Sequence, residues 1–153
     1  MLKRTILATL VSGTLDISFA MVLTLLLGRQ VGDMLRFVAS GPFPAAVDMG
    51  TAGIFLGLAV HFALMAVMAA VFFAWVTFRP QLLETPWRTA IAYGVLTYFL
   101  MNWAVVPVRF GTPLPPKPLS FATQAFAHII LVGIPFVLIA VRFARVPGRT
   151  QTM

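Results

Sequence analysis

The chain has 153 residues, 60% of them hydrophobic and 10% charged, where a soluble domain carries roughly a quarter charged residues. That balance excludes a water-facing globular fold, and the absence of cysteine excludes disulfides, thiolate catalysis and Cys-ligated metal centres. The formal net charge of +7 sits mostly at the ends of apolar segments, not in a phosphate-tracking stripe, so it argues for headgroup anchoring and against nucleic-acid binding.

The first apolar segment runs from about Thr5 to Gly28. Its start, "MLKRTILATLVSGTLDISFA", has the basic head, apolar stretch and small residues Ser18 and Ala20 of a secretory leader. Asp16 interrupts that stretch, and "MVLTLLLG" extends the apolar run to about 24 residues, long enough to span. An uncleaved first helix is therefore expected.

The next connection, "RQVGDMLRFVASGPFPAAVDMG", sets Val31, Met34, Leu35 and Val38 at helical spacing, with Arg29, Asp33 and Arg36 between them. A short amphipathic helix lying in the interface is expected, ended by Gly41 and Pro42. The alternative is a re-entrant segment, which lipid tolerates only when it is buried in protein or lines water.

A second span is expected from about Thr51 to Phe78, a third from about Trp87 to Pro107 and a fourth from about Leu119 to Phe143. Each can cross roughly 30 Å of hydrocarbon at about 1.5 Å per residue. The connection "RFGTPLPPKPL", with its four prolines, reads as extended and stiff. Pro135 frees a backbone carbonyl one turn earlier, near Leu131, and should kink the fourth span. No internal repeat suggests an inverted-repeat transporter. The expectation is one all-α, polytopic membrane domain over residues 1–153, with four transmembrane helices and a short interfacial helix between the first two.

An even number of spans puts both termini on one side. Lys3, Arg4, Arg79, Arg88, Arg142, Arg145 and Arg149 fall on that side, and Arg29, Arg36, Arg109 and Lys117 on the other. Seven against four favours cytoplasmic termini. Trp75 and Trp87 flank the short turn on the terminal side and Trp103 lies near the far end of the third span, as an aromatic belt requires.

Polar residues inside the spans carry the functional argument. An aspartate at mid-bilayer costs about 2.5–3.5 kcal/mol, so Asp16 needs something to offset it. Asp16, His61 and His128 lie roughly 18, 15 and 14 Å from the far ends of their spans by helical rise. Asn102 is shallower, at roughly 8 Å, and Gln124 is one turn above His128. Ser12, Asp16 and Ala20 form one stripe; Gly53, Gly57 and His61 a second; Gly94, Tyr98 and Asn102 a third; Gln124 and His128 a fourth. A cluster of Asp16, His61 and His128 near mid-membrane is expected, with the two amides above it. Gly53 and Gly57 form a GxxxG pattern for close helix packing, and dimerisation through that face is a further expectation.

An aspartate beside a histidine can relay a proton, because imidazole gains and loses one near neutral pH. The leading expectation is proton-linked transport or permeation of a small solute or ion. The alternative is a structural or accessory subunit whose polar core only orients its helices. A third reading takes His61, His128 and Asp16 as ligands for a divalent metal, or the two histidines as ligands for a haem. No close-spaced ligand motif supports it, and no cofactor is the simplest expectation. No nucleophile–base spacing, phosphate-binding loop or paired acidic motif points to an enzyme. The expected partners are the lipid bilayer and a second copy of the chain.

The segments "SGTLDISFA", "VHFALMAVMAAVFF", "YGVLTYFLMNWAVVPV" and "HIILVGIPFVLIA" resemble a family of small four-helix bacterial inner-membrane proteins that remain uncharacterised. The resemblance covers most of the chain. It implies a bacterial inner-membrane location and no known activity, and it marks Asp16, His61, Asn102 and His128 as positions to test.

Overall fold

Lipid offers a backbone no hydrogen bonds, so a spanning segment must close its own N–H and C=O groups within a helix. In the computed structural model, which describes residues 1–144, four helices are long and apolar enough to cross a membrane: α1 (Leu2–Leu26), α3 (Gly50–Phe78), α4 (Pro86–Phe110) and α5 (Pro118–Ala144). A shorter helix, α2 (Val31–Ser40), lies between α1 and α3. Among the described residues there is no strand. The chain is an all-α polytopic membrane protein. Of the terminal-side cations, Arg145 and Arg149 lie outside the described residues.

In the bundle α1 lies between α3 and α5, and α5 lies between α1 and α4. On the terminal half, Phe72 and Phe73 of α3, Tyr93 of α4 and Phe136 of α5 interlock at the centre. Ala8, Ala69, Ala90 and Ala140 belong to the same core. The Tyr93 hydroxyl donates to the Met68 carbonyl at 2.7 Å and ties α4 to α3. At the α1 end of the same half, Arg4 donates to the Thr77 hydroxyl at 2.7 Å and lies over the Phe73 ring.

Lipid tails are as apolar as leucine, so burial alone does not press spans together; close packing and interhelical hydrogen bonds do. Two glycines let α4 and α5 touch backbone to backbone. A Cβ on Gly94 would run into the Ile129 Cα and the His128 carbonyl, and one on Gly133 into the Ala90 carbonyl.

The expected amphipathic helix is present, and Gly41 follows its last residue. It is seated on protein. Leu35 and Ala39 are buried, and the Leu35 backbone lies against Gly57, leaving no room there for a side chain. The Arg36 stem and the Ala46 carbonyl cover Gly53 in the same way. The GxxxG stripe thus admits α2 of the same chain, and that face is not open to a second copy.

Arg109, near the end of α4, fixes the other end of α2. Its Nε donates to the Gly41 carbonyl at 2.6 Å and a terminal nitrogen donates to the Ser40 carbonyl at 2.7 Å. The last carbonyls of a helix have no partner within it, so this cap from α4 supplies what the helix lacks. Phe37 stacks on Phe110 beside it, with ring centroids 4.3 Å apart. Arg109→Met should therefore loosen the end of α2 by about 1–2 kcal/mol, the scale of charge-assisted bonds discounted for an exposed site. Faster hydrogen exchange at Gly41 and Phe43, with α4 unchanged, is the expected readout.

Two prolines bear on the far halves of α4 and α5. Pro107, expected to end the third span, lies inside α4, which continues to Phe110 and stops at Gly111 in a left-handed conformation (φ 63°). A proline has no N–H for the carbonyl four residues back and its ring crowds that carbonyl. The chain answers both prolines alike. A π-helical turn, Leu100–Val105, precedes Pro107, and another, Ala127–Gly133, precedes Pro135. The wider turn moves the crowded carbonyl aside without breaking the helix.

Candidate functional site

Small residues on α1 bring the site together. A Cβ on Gly13 would come within 2.6 Å of the Phe62 ring, so glycine at this position lets α1 and α3 approach closely. That approach sets the buried backbone carbonyl of Gly13 beside His61, whose Nε2 lies 3.0 Å from it. A carbonyl oxygen only accepts, so Nε2 must carry a hydrogen and donate it.

This bond assigns the other ring nitrogen. Nδ1 of His61 is turned to Asp16, 3.9 Å from the carboxylate Oδ2. With Nε2 protonated, the imidazole is either neutral with a bare Nδ1 or cationic with an Nδ1–H. A neutral ring matches a protonated Asp16, and a cationic ring matches the carboxylate. The two states differ by one proton moved between Oδ2 and Nδ1, after a closing motion of about 1 Å to hydrogen-bond distance. His61 is buried, whereas the Asp16 side chain keeps 24% of its surface exposed. The pair answers the cost of Asp16 in an apolar helix: its carboxyl faces an imidazole and not lipid alone.

His128 makes a different contact. Its Nδ1 lies 3.2 Å from the Thr97 hydroxyl on α4. The Thr97 oxygen is also 3.0 Å from the carbonyls of Tyr93 and Gly94. Both carbonyls accept only, so the arrangement that satisfies every group has Thr97 donating to a carbonyl and His128 donating through Nδ1. His128 is the second residue of the π turn in α5, and its ring meets that of Tyr98 in a T-shaped arrangement.

The expected group of three thus resolves into two pairs on different helices: Asp16 with His61 between α1 and α3, and His128 with Thr97 between α4 and α5. Asn102 turns back to donate to the Tyr98 carbonyl of its own helix at 3.2 Å. Gln124 is half-buried one turn before His128. Among the described residues, no three of His, Cys, Asp and Glu come together as a metal site, so the set Asp16, His61 and His128 does not assemble as one. Gly53 and Gly57 serve packing, as their spacing suggests, toward α2.

Two participants escape a reading by residue type. Gly13 contributes through its backbone carbonyl, which no side-chain pattern marks. Thr97 had a visible signal, since it sits three residues after Gly94 on the small-residue face that packs on α5. No known protein family, curated protein or solved structure matches the chain.

Proposed function

We propose that this integral membrane protein takes part in proton-linked transport or permeation of a small solute or ion, with Asp16 and His61 as the groups that take up and release the proton. The observation that carries this reading is the tautomer fixed by the Gly13 carbonyl, which leaves Nδ1 of His61 facing the Asp16 carboxyl. An ionisable pair inside a span is expensive to keep, and such pairs commonly mark ion or proton paths. The setting proposed is the bacterial inner membrane with cytoplasmic termini. The excess of terminal-side Lys and Arg supports that orientation.

A second reading, a structural or accessory subunit, draws support from the bond between His128 and Thr97, which acts as a strut between α4 and α5. The two readings part at Asp16→Asn, which keeps the shape of the side chain and removes its acid. In liposomes with an imposed pH gradient, the proposal expects wild-type proton flux to exceed that of Asp16→Asn by about a hundredfold or more, the scale of a positioned proton-transfer group. Wild-type flux no greater than that of the variant leaves the structural reading in possession.

A further inference from the structure

The polar face of α1 extends beyond Asp16. Toward the terminal side it runs through Ser12, Thr9 and Thr5, at steps of four, three and four residues, so all lie along one helical face. Toward the far side it closes: Ala20 comes next, and the Thr24 hydroxyl beyond it is bonded to the Ala20 carbonyl at 2.7 Å.

Hydroxyls in this chain usually fold back onto their own helix. Thr77 donates to the Phe73 carbonyl, Thr123 to that of Leu119, and Thr5 to that of Met1. Ser12 and Thr9 do not. Ser12 is fully buried, at 0% exposure, and neither its Oγ nor the buried Thr9 Oγ1 has a hydrogen-bond partner among the described residues. A buried hydroxyl without a partner costs about 1–3 kcal/mol, and in native interiors such groups are held by ordered water. Residues three or four apart on a helix have Cβ atoms about 5–6 Å apart. One water making two bonds of about 2.8 Å fills that gap.

Resting on the proton-exchange reading of Asp16 and His61, we infer that protons reach this pair from the terminal side, along a file of water held on α1 by Thr9 and Ser12. Each hop breaks one O–H bond as it forms the next. A proton enters at the terminal-side water, one proton shifts along each hydrogen bond, and the last arrives at the Asp16 carboxylate or at Nδ1 of His61. No electron moves; each hydroxyl accepts one proton as it gives up another, and the file then turns back to its starting direction. On α3 the group facing the end of the file is His61; on α5, His128 is engaged by Thr97.

Two measurements on the full chain in lipid decide this. In the pH-gradient assay, Ser12→Ala and Thr9→Val should each lower proton flux about tenfold, a barrier increase of about 1.4 kcal/mol, while Thr14→Val on the exposed face leaves it unchanged. In solid-state NMR with magnetisation transferred from water, the Ser12 and Thr9 side chains should build up signal as fast as Thr112 in the loop before α5. Val132 in the core should lag well behind both. If Asp16→Asn lowers flux but Ser12→Ala and Thr9→Val do not, or if Ser12 is as slow as Val132, the path is wrong although the proton-exchange reading stands. If wild-type flux equals that of Asp16→Asn, the reading itself fails and the path falls with it.

Discussion

Gly57→Leu should release α2 from the bundle and leave the four spans in place. The atoms that a Cβ at Gly57 meets first belong to the Leu35 backbone, so no rotamer change can make room. Overpacking a site bounded by side chains costs about 1–3 kcal/mol. Here the obstacle is a helix, and the cost should reach about 3 kcal/mol, more than a hundredfold in the equilibrium between docked and undocked α2. Hydrogen exchange reads this directly, because undocking removes the protection of amides along α2. Leu35 and Ala39 should exchange faster by that factor, while Phe72 and Phe136 in the terminal half keep theirs. Ala59→Leu, at an exposed position of the same helix, is the control and should stay within about 0.5 kcal/mol of wild type. Unchanged protection of α2 in Gly57→Leu would mean that the helix is not seated there.

That stripe also shows what a sequence can encode in lipid. Spans are legible because the bilayer forces every backbone group into a helix and every helix into about twenty apolar residues. The expected and observed limits of α3 accordingly differ by a single residue at its start. Gly53 and Gly57 announce a close approach, but a small-residue stripe fixes the distance of a partner and not its identity. The sequence could not say whether α2 or a second copy would fill it.

Depth and direction divide in the same way at the polar site. Helical rise places Asp16, His61 and His128 at similar depths, and two of them meet. Direction around the bundle depends on the order of the helices, with α1 between α3 and α5, and no periodicity records that order. The π turns add a second loss. An extra residue in a turn rotates the remainder of the helix by about 100° relative to regular 3.6-residue spacing. Asn102 and His128 both lie in such turns, so stripes drawn through them with regular spacing drift. Pro107 and Pro135 were the visible signal, but a proline marks only that the turn before it is disturbed, and the widened form each takes is not written in the periodicity.

The histidine of the Asp16 pair offers the sharpest separation of strut from proton partner. His61→Leu should destabilise the bundle by about 2–3 kcal/mol. The lost bond to the Gly13 carbonyl accounts for about 0.6 kcal/mol, the average for interhelical bonds in membranes. The remainder comes from Asp16, left beside leucine and relieved only by its partial exposure. His61→Gln should stay within about 1 kcal/mol of wild type, because its amide nitrogen can still donate to the Gly13 carbonyl and its oxygen can accept from the Asp16 carboxyl. It cannot cycle a proton, so proton flux should fall as it does in Asp16→Asn. The joint replacement Asp16→Leu with His61→Leu carries the decision. Exchanging a buried ionic pair for apolar side chains is often neutral or stabilising, by about 1–4 kcal/mol. The double variant should then recover all the stability lost in His61→Leu, measured by reversible unfolding in bicelles, and show no proton flux. A double variant less stable than His61→Leu would mean that the pair holds α1 to α3. A stable bundle without flux would mean that the chain keeps an expensive carboxylate in its first span for the proton.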